Sequence, residues 1–98
     1  MKAHYLKTVQ PYFSEVEKGN KKFEVRENDR NFQVGDEVYL QEYDAETKTF
    51  SGKEIRATIT YLLDEFELIY LGACVFSFKV TQHIVKNVNL ETSGSNDC

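Results

Sequence analysis

Apolar and polar residues alternate along most of this chain with the period of two that strands require. His4–Val9 reads as a short strand. Pro11 then fits the first turn of a helix, where its missing N–H costs nothing. Tyr12, Phe13 and Val16 give that helix one apolar stripe, Lys18 suits its C-terminal end, and Gly19-Asn20 supplies a left-handed stop. Lys21–Arg26 alternates cleanly, with Phe23 and Val25 facing one way and Lys22, Glu24 and Arg26 the other. Asn28-Asp29-Arg30-Asn31 predicts a loop, after which Phe32 and Val34 return to the core. Gly35-Asp36 turns the chain into a strand over Glu37–Tyr43, with Val38 and Leu40 inward, and Asp44–Gly52 predicts a polar hairpin loop. Lys53–Leu63 predicts the longest strand, carrying Ile55, Ala57, Ile59, Tyr61 and Leu63 on one face. Asp64–Gly72 crosses to a strand over Ala73–Val80, whose inner face holds Cys74, Phe76, Phe78 and Val80. Ile84–Leu90 is a candidate final strand.

Five or six short strands with one early helix predict a mostly β fold, a small closed or nearly closed barrel with the helix packed at its side. Ninety-eight residues fit one domain, placed at residues 1–90, and residues 91–98 form a tail with nothing to bury. The 41% hydrophobic content, with six Tyr and seven Phe, supports a core without disulfides or a structural metal. Cys74 lies in an apolar run and Cys98 at the chain end, a spacing that suits neither zinc nor a redox pair. Met1–Thr8 lacks a secretory pattern, and Leu68–Phe78 is too short for the roughly 20 residues of a membrane span. The expected setting is cytoplasmic and reducing.

The net charge of -4 argues against a protein that coats duplex DNA. The charge is uneven, however: residues 1–35 carry seven Lys/Arg against five Asp/Glu, and the remainder five against eleven. Attention therefore falls on Gly19-Asn20-Lys21-Lys22-Phe23-Glu24-Val25-Arg26, followed by Glu27-Asn28-Asp29-Arg30. Gly19 ends the helix so that Lys21 stands at the mouth of a strand. Glu24 and Arg26, two apart on one face, can hold each other and leave a guanidinium edge free for a phosphate or a base. Asn28, Asp29 and Arg30 add donors and acceptors on a neighbouring loop. The competing structural explanation is a solvated ladder of ion pairs outside a barrel.

This segment resembles the Gly-x-Lys-x-x-Glu-x-Arg signature of ASCH domains, which share the PUA-like barrel. With His4, Leu6-Lys7, Tyr12-Phe13, Asn28-Asp29-Arg30-Asn31-Phe32, Val34-Gly35-Asp36, Gln41-Glu42-Tyr43, Phe50-Ser51-Gly52 and Ile59-Thr60-Tyr61, the chain looks like a short bacterial and phage-associated branch of unknown function. The resemblance spans about residues 4–80 and implies a PUA-like (ASCH) barrel that binds RNA or a modified nucleotide. The ligand-binding residues it implies are Lys21, Glu24, Arg26, Asn28, Asp29 and Arg30. Some ASCH proteins hydrolyse N4-acetylcytidine, and they look to use a Lys with a Thr nucleophile three residues on. Here Lys21 fills the first position but Glu24 stands at the second, and a carboxylate cannot replace that hydroxyl as an acyl acceptor. An amidohydrolase acting through Lys21 and Glu24 is therefore the alternative reading, and a protein-interaction module a further one.

Other chemistry has little support in the sequence. His4 and His83 are far apart and lack clear Cys or Asp partners, so no metal or cofactor is expected. Ser14, Ser51 and Ser77 lack the setting of an activated nucleophile. Among Tyr5, Tyr12, Tyr39, Tyr43 and Tyr61 a base-stacking platform is conceivable, although core and rim packing explains most of them.

Overall fold

A computed structural model of the chain describes residues 1–64 and 72–86. Five strands and one helix follow in the order β1 (Ala3–Thr8), α1 (Tyr12–Glu17), β2 (Phe23–Glu27), β3 (Glu37–Asp44), β4 (Thr49–Leu63) and β5 (Ala73–Val85). They form one sheet in the order β1-β3-β4-β5-β2. β1 runs parallel to β3, and every other pairing is antiparallel. The first two strands in sequence thus occupy opposite edges. The sheet curls so that these edges approach each other, antiparallel, as a half-barrel.

The core follows the alternation. Leu6, Val38, Leu40, Ile55, Ala57, Ile59, Cys74, Phe76 and Phe78 point inward from four strands, and Phe13 and Val16 of α1 join them. Phe32 enters from the loop before β3 and packs its ring against His4 at 4.7 Å and Phe76 at 5.0 Å. Burial pushes the Cys74 thiol pKa up, as expected of a thiol inside an apolar core.

Several expectations are corrected. Pro11 precedes the helix at the N-cap position, and the Gln10 side chain accepts the Ser14 N–H instead. Tyr12 leaves the helical stripe and is exposed, because two turns bury only Phe13 and Val16. Val34, beside the Gly35 turn, is also exposed. The Asp44–Gly52 loop shrinks to residues 45–48, since Asp44 pairs with Thr49 and its carboxylate accepts the Glu46 and Thr47 N–H groups.

Tyr61 and Leu63 do not continue the inner face of β4. Ile59 pairs with Phe78 and Tyr61 with Ser77, so Thr60 is an extra residue that inverts the alternation beyond it. Leu62 packs on the core in their place. Val80 is about half-exposed where β5 leaves the core, and the strand continues to Val85, absorbing Ile84 from the proposed final strand. Residues 87–90, the tail at 91–98 with Cys98, and positions 65–71 of the crossing segment lie outside the described residues.

One buried carboxylate ties the start of the sheet together. Asp36 accepts the Lys2 N–H at 3.1 Å, the Gln33 N–H at 3.1 Å and His4 Nε2–H at 2.9 Å. Burial alone would raise its pKa, but the His4 hydrogen bond, then the two backbone N–H groups, outweigh it and hold the carboxyl below the ordinary aspartate value. A depressed carboxyl pKa means stability that is present above the unfolded-state value and lost as pH falls through the folded one. We expect stability to decline below about pH 4, with Asp36→Asn reducing that acid sensitivity. The same variant should lose about 2 kcal/mol at neutral pH, where three donors give up a charged acceptor. Denaturant midpoints across pH measure both effects.

Candidate functional site

β2 is built inside out for a strand of this composition. Phe23 and Val25 face solvent, 46% and 59% exposed, while Glu24 is 4% exposed. The inversion has a structural cause. Among the described residues β2 pairs only with β5, and its other edge looks across a gap to the outer edge of β1. No backbone ladder joins β1 to β2 among the described residues; polar side chains cross instead.

Arg26 makes the crossing. Its Nη2 donates to the Lys7 carbonyl at 3.0 Å and to Thr8 Oγ1 at 3.3 Å, both on β1. Its Nε donates to Glu24 Oε1 at 3.0 Å, which fixes the guanidinium plane. The other carboxylate oxygen, Glu24 Oε2, accepts from Lys21 Nζ at 2.7 Å. Lys21 is held in turn by the Phe23 carbonyl at 2.7 Å. Glu24 is thus a buried anion between two cations, the arrangement in which a charge can leave water without a large penalty.

Local sequence explains how Lys21 reaches this position. Gly19 adopts φ +83° after the helix, a conformation that costs a residue with a Cβ. The chain then folds back so that the Asn20 and Lys21 N–H groups both donate to the Glu15 carbonyl. The Lys21 ammonium lies 5.0 Å from the Phe23 ring centre and 5.8 Å from that of Tyr12. Both distances suit cation–π attraction. Around this group opens a cleft of about 660 Å³, whose lining includes Thr8, Tyr12, Lys21, Phe23, Glu24 and Arg26.

The remaining expected site residues divide by role. Arg30 Nη1 donates to the Tyr5 carbonyl at 2.9 Å, a second stitch to β1. Asp29 is exposed, 3.9 Å from Arg30 Nε. Asn28 is spent on the loop itself: its Oδ1 accepts the Phe32 N–H, and its own N–H donates to the Gly72 carbonyl. Lys21, Arg26 and Arg30 lie along one seam, and the carboxylates of Glu24, Glu27 and Asp29 alternate with them. Thr8, the Lys7 carbonyl and the Phe23 ring were not anticipated as parts of the site. Thr8 shares the buried face of β1 with His4 and Leu6, and no local signal in the sequence links β1 to β2. Among the described residues no group of three or more His, Cys, Asp or Glu is placed to hold a metal, and no helix is long and apolar enough to cross a membrane.

Residues 3–78 match the family described as Domain of unknown function (DUF3850), and the chain belongs to it. It is also similar to an uncharacterized 12.9 kDa protein of Escherichia phage P2, encoded in the GpA 3′ region, with 36% identity over 63 residues. That alignment covers 64% of this chain and 56% of the phage protein, so the matched segment spans little more than half of that relative. The match to residues 3–78 takes in both edges of the seam.

The ion-pair geometry distinguishes a bracing role from a solvated ladder. An exposed Glu–Arg pair contributes about 0–1 kcal/mol. Glu24 is buried, so Glu24→Ala strands two partly buried cations and should destabilise the fold by about 3 kcal/mol. A midpoint shift of a few tenths of a kcal/mol in chemical denaturation would return the pair to the surface-ladder class.

Proposed function

We propose that this domain is a PUA-like module of the ASCH kind that binds a nucleobase, carried on a nucleoside or on single-stranded RNA, in the cleft between β1 and β2. The observation that carries this reading is the pair of exposed rings, Tyr12 and Phe23, which share the cleft wall with the Lys21 ammonium. A volume of about 660 Å³ lies within the range of small-ligand sites. Flat apolar rings at a cleft mouth suit the faces of a base, and each stack is worth about 1–3 kcal/mol. Asn20, Lys21 and Thr8, which also line the cleft, supply hydrogen-bonding groups for base edges. The position of Lys21, Glu24 and Arg26 of the signature on the cleft wall supports the ASCH assignment.

Charge narrows the ligand class. Lys7, Lys21 and Arg26 in the lining face Glu15 and Glu24, leaving a small positive excess. That balance favours a ligand of low charge over a long polyanion, whose binding depends on many uncompensated cations. A cytoplasmic, reducing setting, compatible with the buried free thiol of Cys74, is part of this proposal.

The hydrolase alternative weakens on geometry. Both oxygens of Glu24 accept from cations at 2.7 and 3.0 Å, which opposes a role as a base toward water. A nucleoside and short-RNA panel, followed by thermal shift and calorimetry, tests the binding reading. Tyr12→Ala and Phe23→Ala should each weaken the best ligand about tenfold. Binding unaffected by both changes would move the ligand out of this cleft, and no binding across the panel would end the nucleobase reading. Incubation with N4-acetylcytidine should give no deacetylated product by chromatography. Rapid turnover abolished in both Lys21→Ala and Glu24→Gln would install the hydrolase.

A further inference from the structure

The seam does not end at Arg26. Beyond it lies a second cavity of about 400 Å³, whose lining includes Leu6, Arg26, Glu27, Asp29, Arg30 and Phe32. Val25 and Arg26 belong to the walls of both cavities. The Arg26 side chain, reaching from β2 to β1, is therefore the partition between an aromatic chamber and a polar one. Its Nε and Nη2 are engaged, while Nη1 makes no hydrogen bond among the described residues. Arg30 is similar: Nη1 is engaged with Tyr5, and Nη2 makes no hydrogen bond among the described residues.

We infer that the ligand is at least two linked nucleotides, with one base in the Tyr12–Phe23 chamber, its phosphodiester on the Arg26 partition, and the adjoining nucleotide in the Arg30 chamber. This inference rests on the nucleobase reading above and specifies what surrounds the base. Two cavities divided by a single guanidinium match two nucleosides divided by a single anion. Arg26 keeps only the Nη1 hydrogens after its structural bonds and can take one phosphate oxygen, whereas Arg30, engaged at Nη1 alone, keeps Nη2 and Nε and can take phosphate oxygens through paired N–H donors.

The second chamber also sets how much negative charge it accepts. Glu27 and Asp29 balance Arg26 and Arg30 in its lining, so no net positive charge offsets a ligand anion and a doubly charged group meets more carboxylate repulsion than a singly charged one. A phosphodiester carries one negative charge, whereas a terminal phosphate carries about 1.5 to 2 at neutral pH. The chamber therefore selects an internal linkage over a chain end.

Calorimetry with the four nucleosides, their 5′-monophosphates and the matching homodinucleoside monophosphates, in ribo and deoxy forms, tests this. The best dinucleoside monophosphate should bind about tenfold more tightly than its nucleoside, and more tightly than the monophosphate. Arg30→Ala should remove that gain, lowering dinucleotide affinity more than nucleoside affinity. Because Arg30 also holds the Tyr5 carbonyl, Asp29→Asn provides a variant at an exposed position. It should tighten dinucleotide binding about threefold by removing one repulsive charge, and change nucleoside binding less. Equal affinity for nucleoside and dinucleotide, or an Asp29→Asn protein that gains nothing, overturns the two-chamber inference and leaves the nucleobase reading intact. Absence of binding to every probe overturns both.

Discussion

The buried Glu24 carboxylate is the point on which the seam depends. The strand order puts β1 and β2 at opposite edges of a curled sheet, and an edge without a partner leaves backbone groups unsatisfied. Arg26 and Arg30 satisfy the Lys7 and Tyr5 carbonyls of β1 from the other side of the gap. A guanidinium can do this only when held in one orientation, and Glu24 provides the hold for Arg26. Glu24 in turn is tolerable inside only because Lys21 takes its second oxygen.

This chain of requirements accounts for the unusual faces of β2. A strand has two sides, and turning Glu24 and Arg26 inward obliges Phe23 and Val25 to face water. The exposed aromatic wall of the cleft is thus the reverse side of the structural stitch. Closing the gap with side chains instead of a ladder also keeps the two strands far enough apart for cavities to form between them. Stability and the proposed binding share residues here. Measurements on Arg26 alone would mix the two, whereas Tyr12 on α1 and Asp29 on its loop stand outside the Glu24 network and report on the cleft with less interference.

Much of the fold was legible because alternation maps directly onto a sheet with one buried face. β1, α1 and β3 fell close to their expected bounds, and the inward residues of β3 and most of those of β4 and β5 were read correctly. The errors have specific causes. A bulge at Thr60 adds one residue, and no composition signal distinguishes it from a regular strand residue, so Tyr61 and Leu63 were assigned to the wrong face. Tyr12 and Val34 are apolar in pattern but lie beside chain reversals that the core does not cover. For the site, the motif spacing brought Lys21, Glu24 and Arg26 together correctly, since all three lie within six residues of one chain segment. Asn28 could not be separated from them by type alone; its side chain caps the loop that its neighbours decorate. Thr8 and the Lys7 carbonyl come from a strand some twenty residues earlier, and their role emerges only when the sheet curls.

The identity of the residue at position 24 also bears on what this seam has become. Under the proposed ASCH relationship, the hydrolases of that group carry at the corresponding position a hydroxyl, a small neutral group that can approach a carbonyl. A carboxylate there would repel attacking and developing anions unless neutralised, and neutralisation requires the very contacts that remove it from chemistry. Lys21 and Arg26 make those contacts at 2.7 and 3.0 Å. The same two cations that a catalytic site would aim at a substrate oxygen are here aimed at the protein's own anion. What they leave for a ligand of the kind proposed is the Nη1 edge of Arg26, the flank of the Lys21 ammonium and the rings beside it.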